Sequence, residues 1–461
     1  KSHELAILSK NGAGVGIYMG DIRARGSKIK GNGVSEGIVP WAKVYDATTL
    51  AVSQGSTRRG ASALYLPIRH GDAQDFLSIR RATGDQSRRC LNTHHAFSID
   101  DAWMQEMLDG DEKKRDLWKD ILKTRFETGE PYLFFKDTVN AANPETYKAL
   151  GLEVDTSNIC TEITLYTDVD HTFVCCLSSL NLMRWAEWKD SDLPQVAARF
   201  LDSVMEEYIR KTDGVKGMEA SRRSAVKGRA LGIGVLGWHS LLQSRMIPFD
   251  GFDAGLLNAS IFKRIREQAE IATKAMAVEL GEPEWCKGFG RRNTHLIAIA
   301  PTVSNSAISG GWSAGIEPVA ANVVTLKGAK GTFIRYNETL RELLKLRGKD
   351  DEETWKSILK NAGSVQHLDF LSAEEKAVFE TAREINQFAL VRQAAQRQRY
   401  VDQGQSLNLF FASNSDPKYI HEVHVEAWKL GVKTVYYCRS EGVLKGDMAS
   451  RSADECKACE G

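Results

Sequence analysis

Apolar and polar positions along the chain follow two different periods in turn. Apolar residues spaced three and four apart predict helices at 98–110, 112–128, 193–211, 256–280, 340–346, 373–398 and 419–430. Short apolar runs predict strands at 61–68, 159–166, 173–182, 231–236, 296–301, 407–411 and 434–437. Because these strands alternate with helices, the pattern predicts an α/β fold.

Glycine interrupts the apolar runs in two regions. Residues 4–60 carry a glycine every few positions, which is typical of strands joined by tight loops. Residues 232–237 fit the G-x-G-x-x-G dinucleotide fingerprint, but the acidic residue expected after a second strand is not evident. We therefore interpret 231–237 as a glycine-rich strand that runs into a helix at Trp238.

The chain changes character after residue 440. Small and polar residues fill 441–455, and Cys456 and Cys459 follow with two residues between them. We expect residues 1–440 to form one folded domain and 441–461 to form a flexible tail that carries a dithiol. A zinc knuckle is a weaker interpretation, because a single Cys-x-x-Cys supplies only two ligands.

Charge balance and cysteine usage argue against several classes of protein. The 461 residues include 61 basic and 60 acidic side chains, and a net formal charge of +1 offers no basic field for nucleic acid. No apolar run reaches the ~18 residues of a membrane span, and no signal segment opens the chain. Eight widely spaced cysteines indicate reduced thiols, so we expect a soluble cytoplasmic protein.

Two polar runs carry the candidate chemistry. In an extended backbone, the run 157–163 would point Asn158, Cys160 and Glu162 to one face, so that an amide, a thiol and a carboxylate converge. The run 174–182 adds Cys175 and Cys176 on a second strand-like segment. Periodicity alone favours a simpler interpretation, in which the first run is a half-buried edge strand and the cysteines are small hydrophobic residues.

Together, the two runs resemble the Asn-x-Cys-x-Glu and Cys-x-Leu-Ser-x-x-Asn-Leu signatures of the catalytic large subunit of class I ribonucleotide reductases. Further segments resemble that family in the same order along the chain. They are the first specificity loop at 14–30, the second at 53–60 with Arg58, the substrate phosphate loop at 301–310 with 315–318, the paired tyrosines Tyr436 and Tyr437, and the tail dithiol of Cys456 and Cys459.

The resemblance implies a ten-stranded α/β barrel with a central finger loop that presents Cys160. It implies reduction of ribonucleoside diphosphates, in which a thiyl radical on Cys160 abstracts the 3′ hydrogen of the ribose. Glu162 would act as the general base on the 3′ hydroxyl, and Asn158 would orient the sugar. Cys175 would be one of two thiols that end as a disulfide when the 2′ hydroxyl leaves as water.

The resemblance also implies roles outside the reacting centre. Tyr436 and Tyr437 would pass the radical inward, although adjacent tyrosines in a strand are also ordinary packing. The segment Thr302, Val303, Ser304 and Asn305 would hold the substrate phosphates, and Arg23 and Lys30 would hold the phosphates of an effector dNTP or ATP. Without the resemblance, these polar positions are more simply loop residues exposed to solvent.

Partners follow from the same resemblance. A separate small subunit that contains a metal would supply the radical, so no cofactor is expected on this chain beyond effector nucleotides. Thioredoxin or glutaredoxin would reduce the tail, and the large subunit would form a homodimer. The sequence begins at Lys1, just past the position of the family's second redox cysteine, so we expect a separate or deleted N-terminal piece to carry that residue.

Two alternatives stay open at this point. One is a non-catalytic subunit of a split reductase that binds nucleotides or partners. The other is a cobalamin-dependent reductase, which does not need a tyrosine relay.

Overall fold

The computed structural model describes residues 1–31, 33–52, 60–328 and 331–440, with only the backbone described at 326–328 and 331–333. Its strands are β1 Gly14–Tyr18, β2 Ala61–Pro67, β3 Thr93–Ile99, β4 Tyr132–Phe135, β5 Cys176–Asn181, β6 Leu231–Leu236, β7 Val323–Gly328, β8 Gly331–Tyr336, β9 Leu409–Phe411, β10 Thr434–Val435 and β11 Cys438–Ser440.

Helices cover most of the remaining described chain. They are α1 Ser2–Lys10, α2 Val39–Val52, α3 Ala73–Leu77, α4 Asp101–Asp109, α5 Glu112–Thr128, α6 Lys136–Ala141, α7 Glu145–Leu150, α8 Trp185–Trp188, α9 Leu193–Lys211, α10 Glu219–Gly228, α11 Trp238–Ser244, α12 Phe252–Leu280, α13 Val303–Ile308, α14 Glu338–Leu346, α15 Glu352–Lys360, α16 Ala373–Val378, α17 Gln387–Gln398 and α18 Pro417–Lys429.

The first half of the barrel is a parallel sheet. Strands β1, β2, β3 and β4 pair in sequence order, all in the same direction. Strand β10 then pairs with β4 in the opposite direction, which joins this sheet to the second half. Every residue of β3 and β4 is buried, as expected for parallel strands covered on both faces.

The second half is less regular but runs in a continuous order. Strand β5 pairs with β6 in parallel, and β6 donates backbone hydrogen bonds to the carbonyls of His295 and Leu296. Ile299 forms a parallel bridge with Gln405, and β9 pairs in parallel with β11. Among the described residues, the strands thus form one five-stranded sheet and three two-stranded ladders, and the predicted α/β fold is confirmed.

Capping residues explain why some helices are predictable from sequence. The predicted helix 112–128 is confirmed as α5; the helix 193–211 is confirmed with the same limits as α9, which has a proline in its first turn and no side-chain cap. The Asp111 carboxylate accepts the Lys114 N–H at the start of α5, and Gly129 ends the helix in the left-handed conformation.

The prediction of one continuous helix at 373–398 is wrong. The segment 373–398 forms two helices, α16 and α17, with an irregular stretch between them. In that stretch the Glu384 carboxylate accepts the N–H and hydroxyl of Thr381, and the Asn386 side chain caps α17 through the Phe388 N–H. These side chains satisfy backbone groups that a continuous helix would otherwise use.

Two predicted strands are also wrong. Residues 296–301 contain only the isolated bridge at Ile299. Residues 159–166 form no ladder: the Thr161 N–H bonds to the Asn158 carbonyl, and Thr161 has a φ of 69°. The polar side chains close this segment on itself, because Asn158 Oδ1 accepts the Ile163 N–H and Ser157 Oγ donates to the Ile163 carbonyl.

The glycine-rich segment 231–237 is confirmed as a strand that runs into a helix, since β6 leads through Gly237 at a φ of 83° into α11 at Trp238.

No helix among the described residues combines the length and hydropathy needed to cross a membrane.

Candidate active site

The segment 157–163, which we call the finger loop, lies in a cradle of glycines. A Cβ at Gly16 would overlap the carbonyl oxygen of Ser157, and a Cβ at Gly404 would lie 2.7 Å from the carbonyl oxygen of Thr161. The Gly404 N–H donates to the Glu162 carbonyl at 2.7 Å. The loop therefore rests directly on backbone, and its position depends on the absence of side chains beneath it.

The predicted trio lies on this loop and converges on one cleft. Asn158, Cys160 and Glu162 are all buried, and all three line a cleft of about 350 Å³ between β1 and β5. A turn brings them together, whereas the sequence predicted an extended strand. Ser406 holds the arrangement, since its hydroxyl lies 2.6 Å from the Cys160 carbonyl and 3.2 Å from Glu162 Oε2.

Two tyrosines connect Cys160 with the far side of the barrel. Tyr436 Oη donates to Cys160 Sγ at 3.6 Å, and the rings of Tyr436 and Tyr437 lie 4.3 Å apart between centroids. Tyr132 on β4 packs against both rings, at 4.7 and 5.0 Å. Arg125 Nη2 donates to the Tyr436 carbonyl at 3.0 Å, which fixes the backbone of the pair.

Charged side chains surround Tyr437. Its hydroxyl lies 3.4 Å from His94 Nδ1, and the Arg439 guanidinium lies 4.2 Å above its ring. Glu130 Oε1 lies 2.6 Å from His94 Nδ1. Burial alone would raise the pKa of Glu130, but the Arg80 guanidinium and His94 hold that pKa well below its usual value.

A second carboxyl group lies behind Tyr437. Asn408 Nδ2 donates to Glu317 Oε1 at 2.6 Å, while Asn408 Oδ1 accepts the Tyr437 N–H. Burial raises the pKa of Glu317 to about 7, against the lowering effect of Arg439 and of the Asn408 hydrogen bond. Tyr437 is thus linked to His94 through its hydroxyl and, through Asn408, to the half-buried Glu317.

The two neighbouring cysteines occupy different surroundings. Cys175 lines the cleft, and Gln403 Nε2 donates to its sulfur at 3.3 Å. Cys176 packs instead against the apolar cluster of Met205, Ile209 and Ala225, and burial raises its pKa to about 11. Cys176 therefore fits the interpretation as a small hydrophobic residue.

The remaining predicted residues divide into three groups. Thr302 and Asn305 line the same cleft as Cys160, whereas Val303 lines a neighbouring one; Ser304 follows Val303 in the first turn of α13. Arg23 and Lys30 lie exposed on the loop after β1. Arg58, Cys456 and Cys459 lie outside the described residues, as does the whole segment 441–461.

Comparison with known proteins identifies the family of this chain. The protein-family model of the ribonucleotide reductase barrel domain matches residues 1–114, 110–289 and 283–438 of this chain. The chain belongs to the ribonucleotide reductase family. It is 35% identical to the ribonucleoside-diphosphate reductase large subunit of Invertebrate iridescent virus 3, over 99% of this chain and 84% of the viral protein.

Two further ribonucleotide reductases extend the comparison. The large subunit from Arabidopsis thaliana is 30% identical over 95% of this chain and 64% of the plant protein. The class Id ribonucleotide reductase alpha subunit of Actinobacillus ureae is 42% identical, with a TM-score of 0.89 over 96% of this chain and 81% of that subunit. The resemblance to class I large subunits of the ribonucleotide reductase family is thereby confirmed.

Sequence reasoning missed several residues that hold the site of this ribonucleotide reductase. Ser406, Gln403 and Asn408 each contact a predicted residue. All three lie more than 200 positions from the finger loop, in or next to a predicted strand that was defined by its apolar residues. The available signal was the polar run 402–408, which is too polar for a buried strand and is nevertheless buried throughout. Buried polar residues in such a run indicate a site that needs hydrogen bonds.

Proposed function

We propose that this chain is the catalytic large subunit of a class I ribonucleotide reductase, which converts ribonucleoside diphosphates to deoxyribonucleoside diphosphates. The observation that carries the proposal is the contact of Tyr436 Oη with Cys160 Sγ, supported by the adjacent ring of Tyr437. A tyrosine pair that ends on a buried cleft cysteine fits a radical relay. Neither a cobalamin-dependent enzyme nor a non-catalytic subunit requires such a relay.

In the proposed first step, the phenoxyl radical of Tyr436 takes the hydrogen atom of the Cys160 thiol. The resulting thiyl radical abstracts the 3′ hydrogen of the ribose, because the S–H bond and the activated C–H bond are similar in strength. Glu162 then accepts the proton of the 3′ hydroxyl, and its Oε2 is within 3.2 Å of the Ser406 hydroxyl that steadies it. Asn158 orients the sugar hydroxyls.

The reductive step needs two thiols. Cys175 gives a proton to the 2′ hydroxyl, which leaves as water, and an S–S bond with a second thiol releases the two electrons that the sugar takes up. One ribonucleotide and two thiols thus become one deoxyribonucleotide, one disulfide and one water. We propose that the second thiol reaches Cys175 at the cleft between β1 and β5.

Other components complete the proposal. The segment 302–305 would hold the substrate phosphates through hydroxyl, amide and backbone groups, and Arg23 and Lys30 would contact an effector nucleotide. A small subunit that contains a metal would deliver the radical to Tyr437. The dithiol of Cys456 and Cys459 would reduce Cys175 by thiol–disulfide exchange and would be reduced in turn by thioredoxin or glutaredoxin. A homodimer in the cytoplasm is the proposed working form.

A single-turnover reaction tests the function. The reduced complex isolated from its source is mixed with a ribonucleoside diphosphate and an effector nucleotide, without an external reductant. We expect a deoxyribonucleoside diphosphate and, by mass spectrometry, Cys175 in a disulfide whose other half identifies the second thiol. Product that forms only on addition of cobalamin would support that alternative, and no product with Cys175 still free would support a non-catalytic subunit.

Replacement of Glu162 by glutamine is expected to lower kcat by about 10²–10⁴-fold with little change in KM, because the amide keeps the shape but cannot accept the proton. Steady-state kinetics of the Glu162→Gln complex measures this split. The matched control is Glu153→Gln, which changes an exposed carboxylate outside the cleft of Cys160 and should leave kcat unaltered. An equal loss in both variants would contradict the role of Glu162.

A further inference from the structure

The sulfur of Cys175 occupies a slot that two residues shape. Gln403 Nε2 donates a hydrogen bond to it at 3.3 Å. On another side, a Cβ added to Gly232 would lie 3.1 Å from Sγ, which is closer than ordinary packing allows. The first glycine of the apparent dinucleotide fingerprint therefore makes room for this thiol and also for Leu177, whose Cδ2 would overlap the same Cβ.

The Gln403 carboxamide can present only its nitrogen to the sulfur. Nε2 also donates to the Leu231 carbonyl at 2.8 Å, and a flipped amide would place its oxygen against that carbonyl oxygen. The main chain of Gln403 is fixed as well, since its N–H donates to the Ile297 carbonyl and its carbonyl accepts a hydrogen bond from Gln398. Gln403 is fully buried, so this orientation persists.

This arrangement leaves one buried polar atom unsatisfied. Gln403 Oε1 has no hydrogen-bond partner among the described residues, although a buried amide oxygen without one destabilises the fold. The nitrogen of the same amide has two partners, the Leu231 carbonyl and the Cys175 sulfur, so the contacts of this side chain are directed through Nε2 and one of them is the thiol.

We propose that Gln403 is a positioning residue for the reductive half of the reaction, holding the Cys175 sulfur toward the cleft and stabilising it once it has given up its proton. The inference rests on the proposed function for its chemical purpose. When Cys175 protonates the departing 2′ hydroxyl, negative charge develops on the sulfur, and the Gln403 N–H lies where it can stabilise that charge. The charge is removed when the S–S bond to the second thiol forms.

The electrostatic surroundings of Cys175 agree with this role. Burial raises the pKa of Cys175 well above its usual value, and the Gln403 hydrogen bond is the main influence in the opposite direction. Cys176, Glu162 and Asp402 raise the pKa further. Among these groups Gln403 alone favours the deprotonated sulfur.

The test measures the thiol and needs no turnover. The rate of alkylation of Cys175 by iodoacetamide is followed against pH by mass spectrometry, with the chain in its native complex and no nucleotide present. In Gln403→Met, we expect Cys175 to react about tenfold more slowly at a given pH, which corresponds to a rise of about one unit in its pKa. The profile of Cys176 in the same molecules should not move, because Gln403 does not contact it.

Two further variants keep the result decisive. Gln403→Asn retains a buried amide but withdraws it from the sulfur, so it should slow Cys175 in the same way even if Gln403→Met fails to fold. Gln405→Met removes a buried glutamine two residues away that bonds to the Ala394 carbonyl and to Gln398, and it should leave the Cys175 profile unaltered.

The outcomes separate the inference from the proposed function. An unchanged Cys175 profile in a folded Gln403→Asn variant would overturn the inference, as would an equal shift in Gln405→Met. Slower alkylation of Cys175 in the Gln403 variants, together with no nucleotide reduction by the unaltered complex, would support the hydrogen bond and count against the proposed function.

Discussion

Replacement of Tyr436 by phenylalanine is expected to lower nucleotide reduction by at least about a thousandfold, which corresponds to about 4 kcal/mol of activation free energy. The phenol oxygen of Tyr436 is the atom that contacts Cys160 Sγ, and phenylalanine has no O–H bond to exchange with the thiol. The ring itself stays, so packing against Tyr132 and Tyr437 is preserved. Turnover assays with the complete complex measure the loss.

The control for Tyr436→Phe is Tyr147→Phe. Tyr147 is a fully buried tyrosine whose ring packs on His295 and whose hydroxyl accepts the Tyr166 N–H, away from Cys160. We expect Tyr147→Phe to retain most activity, with a modest loss of stability. Wild-type turnover in Tyr436→Phe would exclude the relay and would favour the cobalamin-dependent alternative.

Substitution of Gly16 by alanine is expected to displace the finger loop and to abolish activity. The added Cβ would overlap the Ser157 carbonyl oxygen, and a backbone atom cannot swing aside as the end of a side chain can. Either β1 or the finger loop must move, so we expect a loss of about 3 kcal/mol in the free energy of unfolding. Denaturant unfolding and turnover measured on the same preparation check both effects.

Gly255→Ala provides the comparison for this change. Gly255 lies in the helix α12, and its added Cβ would meet only the end of the Gln396 side chain at 3.7 Å. Because alanine is the better helix former, we expect a gain of about 0.5–1 kcal/mol with activity unchanged. If Gly16→Ala proved as harmless as Gly255→Ala, the finger loop would not depend on its glycine cradle.

Local signals in the sequence were sufficient for much of the fold and for the identity of the finger-loop residues. Asp111 and Gly129 delimit α5 by interactions within a few positions, so that helix can be predicted from its own residues. The residue types and the family resemblance predicted the finger loop, whereas periodicity alone predicted an extended strand, which is wrong. Alternation of polar and apolar residues predicts a strand only where the backbone N–H groups are free for a neighbour. Here Asn158 and Ser157 bond to the main chain of Ile163 instead.

The supporting contacts of the site could not be read from sequence for a different reason. The contact between Ser406 and Glu162 spans 244 positions, and that between Arg125 and Tyr436 spans 311. No periodicity links residues so far apart, since the barrel topology alone brings them together. The same limit applied to Gln403, whose significance depends on the place of Cys175 beside β6.

The rings of Tyr132, Tyr436 and Tyr437 pack together where the two halves of the barrel meet. Tyr132 belongs to β4, while Tyr436 directly follows β10. These short strands pair at Thr434 with Phe134 and Val435 with Leu133, beside a hydrogen bond from the Phe135 N–H to the Lys433 carbonyl. A slip of one residue in so short a pairing would turn Tyr436 to the opposite face. The proposed route of the radical thus depends on the register between these two antiparallel strands. Single-residue insertions or deletions in β4 or β10 should therefore disconnect the rings even where every tyrosine is retained.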